Sequence, residues 1–361
     1  MDHSDSVQKL QSDIEKTLNS TNLNAEIVEI RESTPYQRSS FKMKNLPTAK
    51  YEVLQQKDDS TGKKDQITSL VKSSSKKSSH YELISYSQLP KWAQDNEFIT
   101  KYYRKTNTNW KHVILSSFFQ FHNESFNIYS HAIPALVALI VANHFIFMPT
   151  STFADEFLEK IVWISYLVCA TIMLTCSWTF HACYIHSYKT FCLGSKLDYA
   201  GISFMIVGSF LPWLFYTFYC EKVLFRVYFT SITILGVICI FTSLSKKFAQ
   251  PEYRSMRASL FCGMGLFAVI PVIHMGIKIG FTKLFVDYYL WTLLIMASCY
   301  IGGAVIFSLR VPERFYPGKF DRFLNSHNIF HTLIVIAASI HFIGVWWLKE
   351  DRFGLGNQCK H

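Results

Sequence analysis

Charged residues are scarce in this sequence. Asp, Glu, Lys and Arg make up only 17% of its 361 residues, whereas 50% are hydrophobic and 16% are aromatic. Polar residues dominate the first eighty positions, so the rest of the chain is strongly apolar. This shortage of charge argues against an ordinary soluble domain and indicates an integral membrane protein.

The sequence also lacks the cysteine spacing of a disulfide framework, because its nine cysteines include no Cys-x-x-Cys pair. Most of them lie within apolar runs, where we expect them to pack as small hydrophobic side chains. Cys220 and Cys359 are the two that fall near the predicted outer face, where a bond between them is possible.

Acidic residues are outnumbered, and the formal net charge is +10. The basic residues stand in the N-terminal segment and in short connections between apolar runs, as is typical of membrane proteins. We therefore attribute the charge to membrane topology and expect no nucleic-acid partner.

The first part of the chain divides into two segments. Residues 1–80 are rich in polar residues and poor in aromatics, which predicts a disordered polar cytoplasmic tail; no apolar signal-peptide core is visible near its start. Residues 81–123 form a juxtamembrane amphipathic segment. Its helix is predicted from the spacing of apolar residues, namely Trp110, Val113, Ile114, Phe118 and Phe121, opposite a largely polar face.

Seven apolar stretches follow, and each is long enough to cross the hydrocarbon core. Their approximate bounds are 126–148, 161–185, 198–219, 224–245, 256–278, 286–309 and 326–348. The sequence thus predicts an all-α integral membrane protein. Residues 124–348 form a seven-transmembrane helix bundle, and residues 349–361 form an extracellular C-terminal tail.

The connections between these stretches differ in basic residues. Lys and Arg are concentrated before the first stretch and after the second, fourth and sixth. Because such residues are retained on the cytoplasmic side, we predict a cytoplasmic N-terminus and an extracellular C-terminus. We expect the protein to lie in the plasma membrane. This orientation is opposite to that of G-protein-coupled receptors and argues against a rhodopsin-type receptor.

Ionisable residues inside membrane spans are costly and are usually functional or paired. In the predicted topology Ser177 and His181 lie near the cytoplasmic end of the second span, and Asp198 lies near the same end of the third. The seventh span brings His327 and His331 to that level. Three helices therefore place these polar groups at one depth.

The histidine spacing indicates a zinc site. His327 and His331 are four residues apart, so both rings project from one helical face and can share one ion with His181. Three histidines with an open fourth position are typical of catalytic zinc, and Asp198 could then hold or deprotonate a zinc-bound water. Helix packing is the simpler alternative. Haem is disfavoured because His327 and His331 cannot approach opposite faces of one porphyrin.

Other polar residues in the spans have a structural interpretation. Glu124, Asn127, Ser130 and His131 begin the first span at helical spacing, and we expect them to cap it or tie it to its neighbours. His274 and His341 belong to other depths.

Four blocks of the chain resemble the progestin and adipoQ receptor family, and most closely the adiponectin receptors. They are NESFNIYSHAIP, SWTFHACYIHS with Ser177 and His181, SKLDYAGISFMIVGSFLPWLFYTFYC with Asp198, and VPERFYPGKFDRFLNSHNIFHTLIV with His327 and His331. The resemblance extends from about Tyr81 to Cys359 and leaves out the polar tail.

This resemblance implies zinc held by His181, His327 and His331, with a water near Asp198. It also implies a receptor for an adiponectin-like extracellular protein or peptide, which promotes fatty-acid oxidation and membrane-lipid homeostasis. Hydrolysis of ceramide to a fatty acid and a sphingoid base is a further implied activity. A cytoplasmic adaptor could bind the N-terminal region.

Two functional classes stay open at this point. In one, the protein is an intramembrane zinc hydrolase in which Asp198 and Ser177 have catalytic roles. In the other, it is a receptor or lipid sensor with a purely structural zinc. A transporter is disfavoured because no pair of Gly/Pro-interrupted helices suggests an inverted repeat.

Overall fold

The computed structural model of the protein describes residues 26–31, 38–44, 51–54, 82–153, 156–245, 253–355 and 359. The chain divides into two compact units, 1–78 and 79–361. The second unit contains the apolar stretches and all of the candidate site residues.

The first unit contains a three-stranded antiparallel sheet of β1 (Glu26–Arg31), β2 (Arg38–Lys44) and β3 (Tyr51–Leu54) in the order β1-β2-β3. This differs from the disordered tail expected across 1–80, whose other residues lie outside the described residues. Apolar and charged residues alternate at the end of β2, in the run FKMK. Such short alternation favours a strand, but it disappears in a composition averaged over eighty residues.

The second unit is helical in its described residues, apart from an isolated bridge between Ile84 and Tyr103. Its helices are α1 (Trp110–Phe119), α2 (Ser125–Phe147), α3 (Glu156–Cys183), α4 (Tyr188–Thr217), α5 (Lys222–Ser243), α6 (Arg254–Leu266), α7 (Val269–Ile279), α8 (Phe281–Asp287), α9 (Leu290–Leu309) and α10 (Ser326–Leu355). Short 3-10 helices lie at Tyr86–Gln88, Lys91–Ala93, Thr150–Thr152 and Tyr184–His186.

Seven helical segments are long and apolar enough to cross a membrane, which confirms the predicted seven-helix membrane protein. They are Ser125–Phe147, Phe157–His186, Tyr188–Thr217, Lys222–Ser243, Ser255–Ile279, Leu290–Leu309 and Ser326–Gly354. The fifth span consists of α6 and α7, which are separated at Phe267 and Ala268.

Two of these helices extend well beyond their predicted bounds. α4 begins at Tyr188 instead of 198, because the Ser187 side chain caps it by accepting from the Thr190 N–H. α10 continues to Leu355 instead of ending at 348. There the buried Lys349 ammonium lies 4.8 Å from the ring centre of Trp346, and the Arg352 guanidinium lies 3.8 Å from that of Tyr219. Cation–π contacts of this kind let charged residues remain inside a packed helix.

The close packing of α3 against α4 sets the register of two candidate site residues. A Cβ atom placed on Gly208 would lie 2.5 Å from Cβ of Cys169, and one on Gly201 would lie 3.1 Å from Cα of Met173. Glycine therefore lets the two helix backbones approach closely, as small residues do in membrane helix pairs. In this register Asp198 on α4 comes opposite Ser177 on α3.

The two ends of the bundle differ in composition. We call the end with the C-terminus of α3 and the N-termini of α4 and α10 the histidine end, and the opposite one the disulfide end. At the disulfide end Trp163 stacks on Phe145 with ring centres 5.0 Å apart, and its indole N–H donates to the Tyr216 hydroxyl at 2.9 Å. Cys220 and Cys359 form a disulfide there, which confirms the pairing considered from the sequence.

α1 is amphipathic, and most of its apolar residues face outward, whereas Val113 is buried. Trp110 is 50% exposed and Ile114 is 54% exposed, whereas Ser116 and Ser117 are buried against the bundle. An outward apolar stripe beside membrane spans is suited to contact with lipid at the interface. The inward serines belong to the polar contacts that support the candidate site.

Candidate functional site

His181 lies in the last turn of α3, where helix carbonyls lack intrahelical partners. The buried guanidinium of Arg104 supplies the missing donors. Its Nη2 donates to the His181 carbonyl at 2.7 Å, and its Nη1 donates to the Ala182 carbonyl at 3.0 Å and to the Ser117 hydroxyl at 2.6 Å. This residue from the segment before α1 therefore holds the end of the helix that presents His181.

His327 and His331 lie in the first two turns of α10, whose start is fixed by two polar residues. The Asn325 side chain accepts from the Asn328 N–H at 3.0 Å, as an N-cap does. The fully buried Glu313 accepts from the Ser326 N–H at 2.7 Å and from its hydroxyl. The helix therefore begins one residue before His327 with its first donors satisfied.

The three predicted histidines come together at the histidine end of the bundle. One ring nitrogen from each of His181, His327 and His331 can be chosen so that all three atoms lie within 4.8 Å of one another. The ring centres of His181 and His327 are 4.8 Å apart, and those of His327 and His331 are 4.7 Å apart. Both pairs meet edge to face, so the ring edges converge and the three residues could hold a metal ion.

Hydrogen bonds to the other ring nitrogens indicate which atoms face the ion. Nδ1 of His181 lies 2.8 Å from Oε2 of Glu124, and Nδ1 of His331 lies 3.1 Å from the Ser130 hydroxyl. Nε2 of His181 is buried and has no hydrogen-bond partner among the described residues. A metal-binding histidine commonly donates its second N–H to a carboxylate, which orients the ring. The cluster therefore fits a metal ion bound through Nε2 of His181.

Glu124 connects the cluster to a buried network between α2 and α10. Its Oε2 also accepts from Nδ2 of Asn127 at 2.7 Å, and Oδ1 of Asn127 accepts from Nδ2 of Asn328 at 2.7 Å. Oε1 of Glu124 accepts from Nδ2 of Asn123 at 3.0 Å. Because each of these groups has little freedom, the carboxylate that faces His181 is held in one position.

The turn before α2 places Glu124. The Glu124 N–H donates to Nδ1 of His122 at 3.1 Å, and the Ser125 hydroxyl accepts from the His122 N–H at 2.9 Å. Desolvation by burial lowers the pKa of His122 to about 2. The ring therefore stays neutral at neutral pH, and Nδ1 is its acceptor nitrogen because the Glu124 N–H donates to it.

Ser177 and Asp198 lie beside the cluster, as the sequence predicted. The Ser177 side chain is buried and hydrogen-bonds the half-buried Asp198 carboxylate, which also interacts electrostatically with His181 and Arg257. The structure thus brings together all five residues predicted for the site.

These residues line one cavity inside the bundle, with a volume of about 300 Å³. The histidines, Ser177 and Asp198 belong to its polar lining, while much of its wall is apolar, for example Met173, Ile202, Met205, Phe261, Met296 and Ile334. Ala93, Asn96, Ile99 and Tyr103 of the segment before α1 also contribute. Such a cavity can receive a molecule with a polar head and an apolar chain.

Sequence reasoning missed the contact between Glu124 and His181. Glu124 and Asn127 were interpreted as structural, and they do connect α2 to α10, but Glu124 also touches a candidate ligand. The sequence did contain a signal for this contact, because Glu124 is a carboxylate at the start of a span, at the same predicted depth as the histidines. His274 and His341 are packing residues: one ring nitrogen of His274 bonds the Tyr228 hydroxyl at 2.6 Å, and one of His341 bonds the Ser209 carbonyl at 2.8 Å.

The fold and the site define a multi-pass membrane protein of seven spans with a buried three-histidine cluster. Residues 119–342 match the model of the haemolysin-III related family. Over 265 residues the chain is 39% identical to the adiponectin receptor protein of Drosophila melanogaster, an alignment that covers 73% of this chain and 59% of that one. Over 279 residues it is 38% identical to the progestin and adipoQ receptor-like protein 1 of Caenorhabditis elegans, with coverages of 77% and 63%.

A third relative is an ADIPOR-like receptor of Saccharomyces cerevisiae, 36% identical over 267 residues, with coverages of 73% and 83%. The chain therefore belongs to the haemolysin-III related proteins known as the progestin and adipoQ receptor family. It spans less than two thirds of the length of the fly and worm relatives.

Proposed function

We propose that this protein is an adiponectin-receptor-like membrane receptor that regulates lipid metabolism through a zinc-dependent lipid-amide hydrolase activity. The lipid processes concerned are fatty-acid oxidation and membrane-lipid homeostasis, and ceramide is the proposed substrate. The main support is one observation: the three-histidine cluster, Ser177 and Asp198 share a cavity whose remaining wall is largely apolar.

Zinc is the metal that best suits the donor set. Imidazole nitrogens bind zinc readily, whereas calcium and magnesium prefer oxygen ligands. His181, His327 and His331 would hold the ion, and Glu124 would orient His181. When bound with an open position, zinc supplies a Lewis acid that also lowers the pKa of water.

Asp198 is the proposed general base. Its carboxylate lines the cavity and interacts electrostatically with His181, and in the loaded protein it would accept a proton from water on one carboxylate oxygen. Ser177 bonds this carboxylate and keeps it oriented. As an alternative contribution, the Ser177 hydroxyl would donate to the oxygen of the amide carbonyl as negative charge develops there.

The surroundings of the site restrict the substrate to lipids. The cluster lies within the membrane-spanning helices, and much of the cavity beyond the histidines is apolar. Ceramide fits this distribution because its amide is polar and its acyl chain is not. Hydrolysis would release a fatty acid and a sphingoid base.

The decisive experiment compares purified wild-type protein with Asp198→Asn, which keeps the shape of the side chain and all three histidines. We expect the variant to keep its zinc and to lose about 10²–10⁴-fold in ceramide turnover. Asp287→Asn, at an exposed aspartate after the fifth span, is the matched control and should retain activity. Equal and substantial turnover in Asp198→Asn would disprove the role of Asp198 and leave the zinc site intact.

The alternative function is a receptor or lipid sensor with a structural zinc. Its support is that an ion held by the cluster would clamp α3 to α10 directly, while Glu124 and Asn127 connect α2 to both of them through hydrogen bonds. In that case wild type and Asp198→Asn would show the same negligible turnover, and both would still signal. The same pair of proteins therefore separates the two functions.

The proposed ligand is an adiponectin-like extracellular protein or peptide, and a cytoplasmic adaptor is the proposed partner of the N-terminal region. Both rest on a proposed plasma-membrane location and on a cytoplasmic N-terminus; the basic residues of alternate connections support this orientation. An epitope before Tyr81 should be reached only after permeabilisation, and one after Cys359 should be reached on intact cells. Labelling of the N-terminal epitope on intact cells would refute this orientation.

A further inference from the structure

His131 is an additional histidine at the candidate site, one turn beyond Asn127 on α2. Only 2% of its surface is exposed, and it lines the same cavity as the three-histidine cluster. Its ring stacks on the ring of His331, with centres 3.7 Å apart and planes inclined by 4°. His131 is therefore held flat against a candidate metal ligand.

The ring nitrogens of His131 make no hydrogen bond in the described part of the chain, and both are buried. The carbonyl of His331 lies nearby, but neither ring nitrogen makes a hydrogen bond with it. Buried polar atoms without partners are rare because they lose their hydration without compensation.

The buried His341 shows what structural packing of an imidazole looks like in this bundle. One of its nitrogens bonds a backbone carbonyl on the neighbouring helix at 2.8 Å. His131 makes no such bond, although it is equally enclosed. A group from a molecule in the cavity would supply the missing partner.

A role as a further metal ligand is less consistent with the geometry. The candidate ligand atoms that lie within 4.8 Å of one another come from His181, His327 and His331, and His131 is not among them. A hydrogen bond from His131 to a molecule in the cavity would leave the three candidate metal ligands where they are.

We propose that His131 is a ligand-binding residue, which hydrogen-bonds the polar head group of an acyl lipid that lies in the cavity beside the three histidines. An imidazole offers both an N–H donor and an acceptor, so it can bind an amide, a hydroxyl or a carboxyl group. The inference rests on the proposed lipid substrate, but it does not require that the lipid is hydrolysed. Stacking on His331 keeps the imidazole plane fixed and so favours one head-group position.

The test uses purified full-length protein and two probes, a short-chain N-acyl sphingosine and palmitate, whose binding is measured by displacement of a fluorescent fatty acid. His131→Phe keeps a ring that can stack on His331 but has no nitrogen. We expect unchanged zinc content and a dissociation constant about 3- to 10-fold higher for at least one probe, as the loss of one hydrogen bond predicts. The probe that is weakened identifies the amide or the carboxyl group as the partner.

His131→Gln is the rescuing variant because it restores a donor and an acceptor. It should bind the affected probe more tightly than His131→Phe does, with the same zinc content. Equal binding of both probes by wild type and His131→Phe would overturn the proposal, as would loss of zinc from His131→Phe or failure of wild type to bind either probe. If wild type binds ceramide in a His131-dependent way but does not hydrolyse it, the proposed hydrolase activity fails and this inference stands.

Discussion

The histidine end and the disulfide end of the bundle are held together by different chemistry. At the histidine end, a chain of polar contacts runs from His181 to Glu124, then to Asn127, and then to Asn328. At the disulfide end, the rings of Phe145 and Trp163 pack together, and a covalent bond joins the tail after α10 to the connection after α4.

This difference separates function from stability along the same helices. A buried polar network is strong only when all its members are satisfied, so it specifies positions closely. Aromatic packing tolerates adjustment more readily, and a disulfide stabilises largely by restricting the unfolded chain. We therefore expect variants at the histidine end to change metal binding and variants at the disulfide end to change stability alone.

The largest effect is expected for His181→Ala. With one of three ligands removed, zinc content should fall below about a tenth of the wild-type value, because three ligands are the minimum of ordinary zinc sites. The protein should also lose the stabilisation from the ion, about 3–4 kcal/mol when free zinc is 100–1,000 times its dissociation constant. Metal analysis and thermal unfolding with and without a chelator measure both.

The matched control for this variant is His144→Ala, which removes an exposed histidine from the other end of α2. It should keep its zinc. In the double variant of His181 and His331, the loss of stability should not exceed the sum of the losses in the two single variants, because the first substitution already releases the ion. Full zinc content in His181→Ala would refute the metal assignment.

Removal of the disulfide should have the next largest effect, at the opposite end of the bundle. Cys359→Ser is expected to lower the free energy of unfolding by about 2–4 kcal/mol and to leave zinc content unchanged. Cys262→Ser removes a free thiol and serves as the control. Loss of zinc from Cys359→Ser would break the comparison by showing that the two ends are coupled.

Glu124→Gln should weaken the site without removing a ligand. Both carboxylate oxygens of Glu124 face donors: Asn123 on one oxygen, and Asn127 and Nδ1 of His181 on the other. In glutamine one of these oxygens becomes an NH₂ group, which is itself a donor and cannot accept these hydrogen bonds. Loss of such an orienting carboxylate typically costs 10–100-fold in metal affinity, measured by competition with a chelator. Glu82→Gln, at an exposed glutamate, is the control and should keep the wild-type affinity for zinc. If Glu124→Gln also kept that affinity, the contact between Glu124 and His181 would be purely structural.

The smallest effect concerns the segment before α1, which contacts the histidine end through Arg104. Thr100 donates from its N–H to one carboxylate oxygen of Asp321 at 2.7 Å and from its hydroxyl to the other at 3.1 Å. Thr100→Val removes the second bond and should cost about 0.5–1.5 kcal/mol. This loss of stability should appear as faster hydrogen exchange of the backbone amides in residues 82–109. Thr242→Val, at a half-buried threonine whose hydroxyl donates to the Ile238 carbonyl of its own helix, is the control; equal exchange in both variants would argue against this support.

Much of this molecule could be predicted from local sequence. Seven spans follow from runs of apolar residues, because the hydrocarbon core demands length and hydrophobicity from each segment separately. The candidate ligands His327 and His331 follow from helical periodicity, since residues four apart share a face. The predicted end of α10 at 348 was wrong for a related reason. A hydropathy pattern stops at the first charges, whereas Lys349 and Arg352 remain inside the packed helix against aromatic rings.

The sequence by itself therefore determined the membrane class and the seven helices, and it singled out five polar residues that the structure brings to one cavity. Only the tertiary structure decided that Glu124 faces His181, that Arg104 holds the end of α3 and that His131 lies flat on His331. Hydrophobicity and helical period are properties of one segment and can be read along the chain. The choice of a hydrogen-bond or stacking partner depends on how helices distant in sequence are rotated and shifted against each other, and that is settled only when the bundle packs.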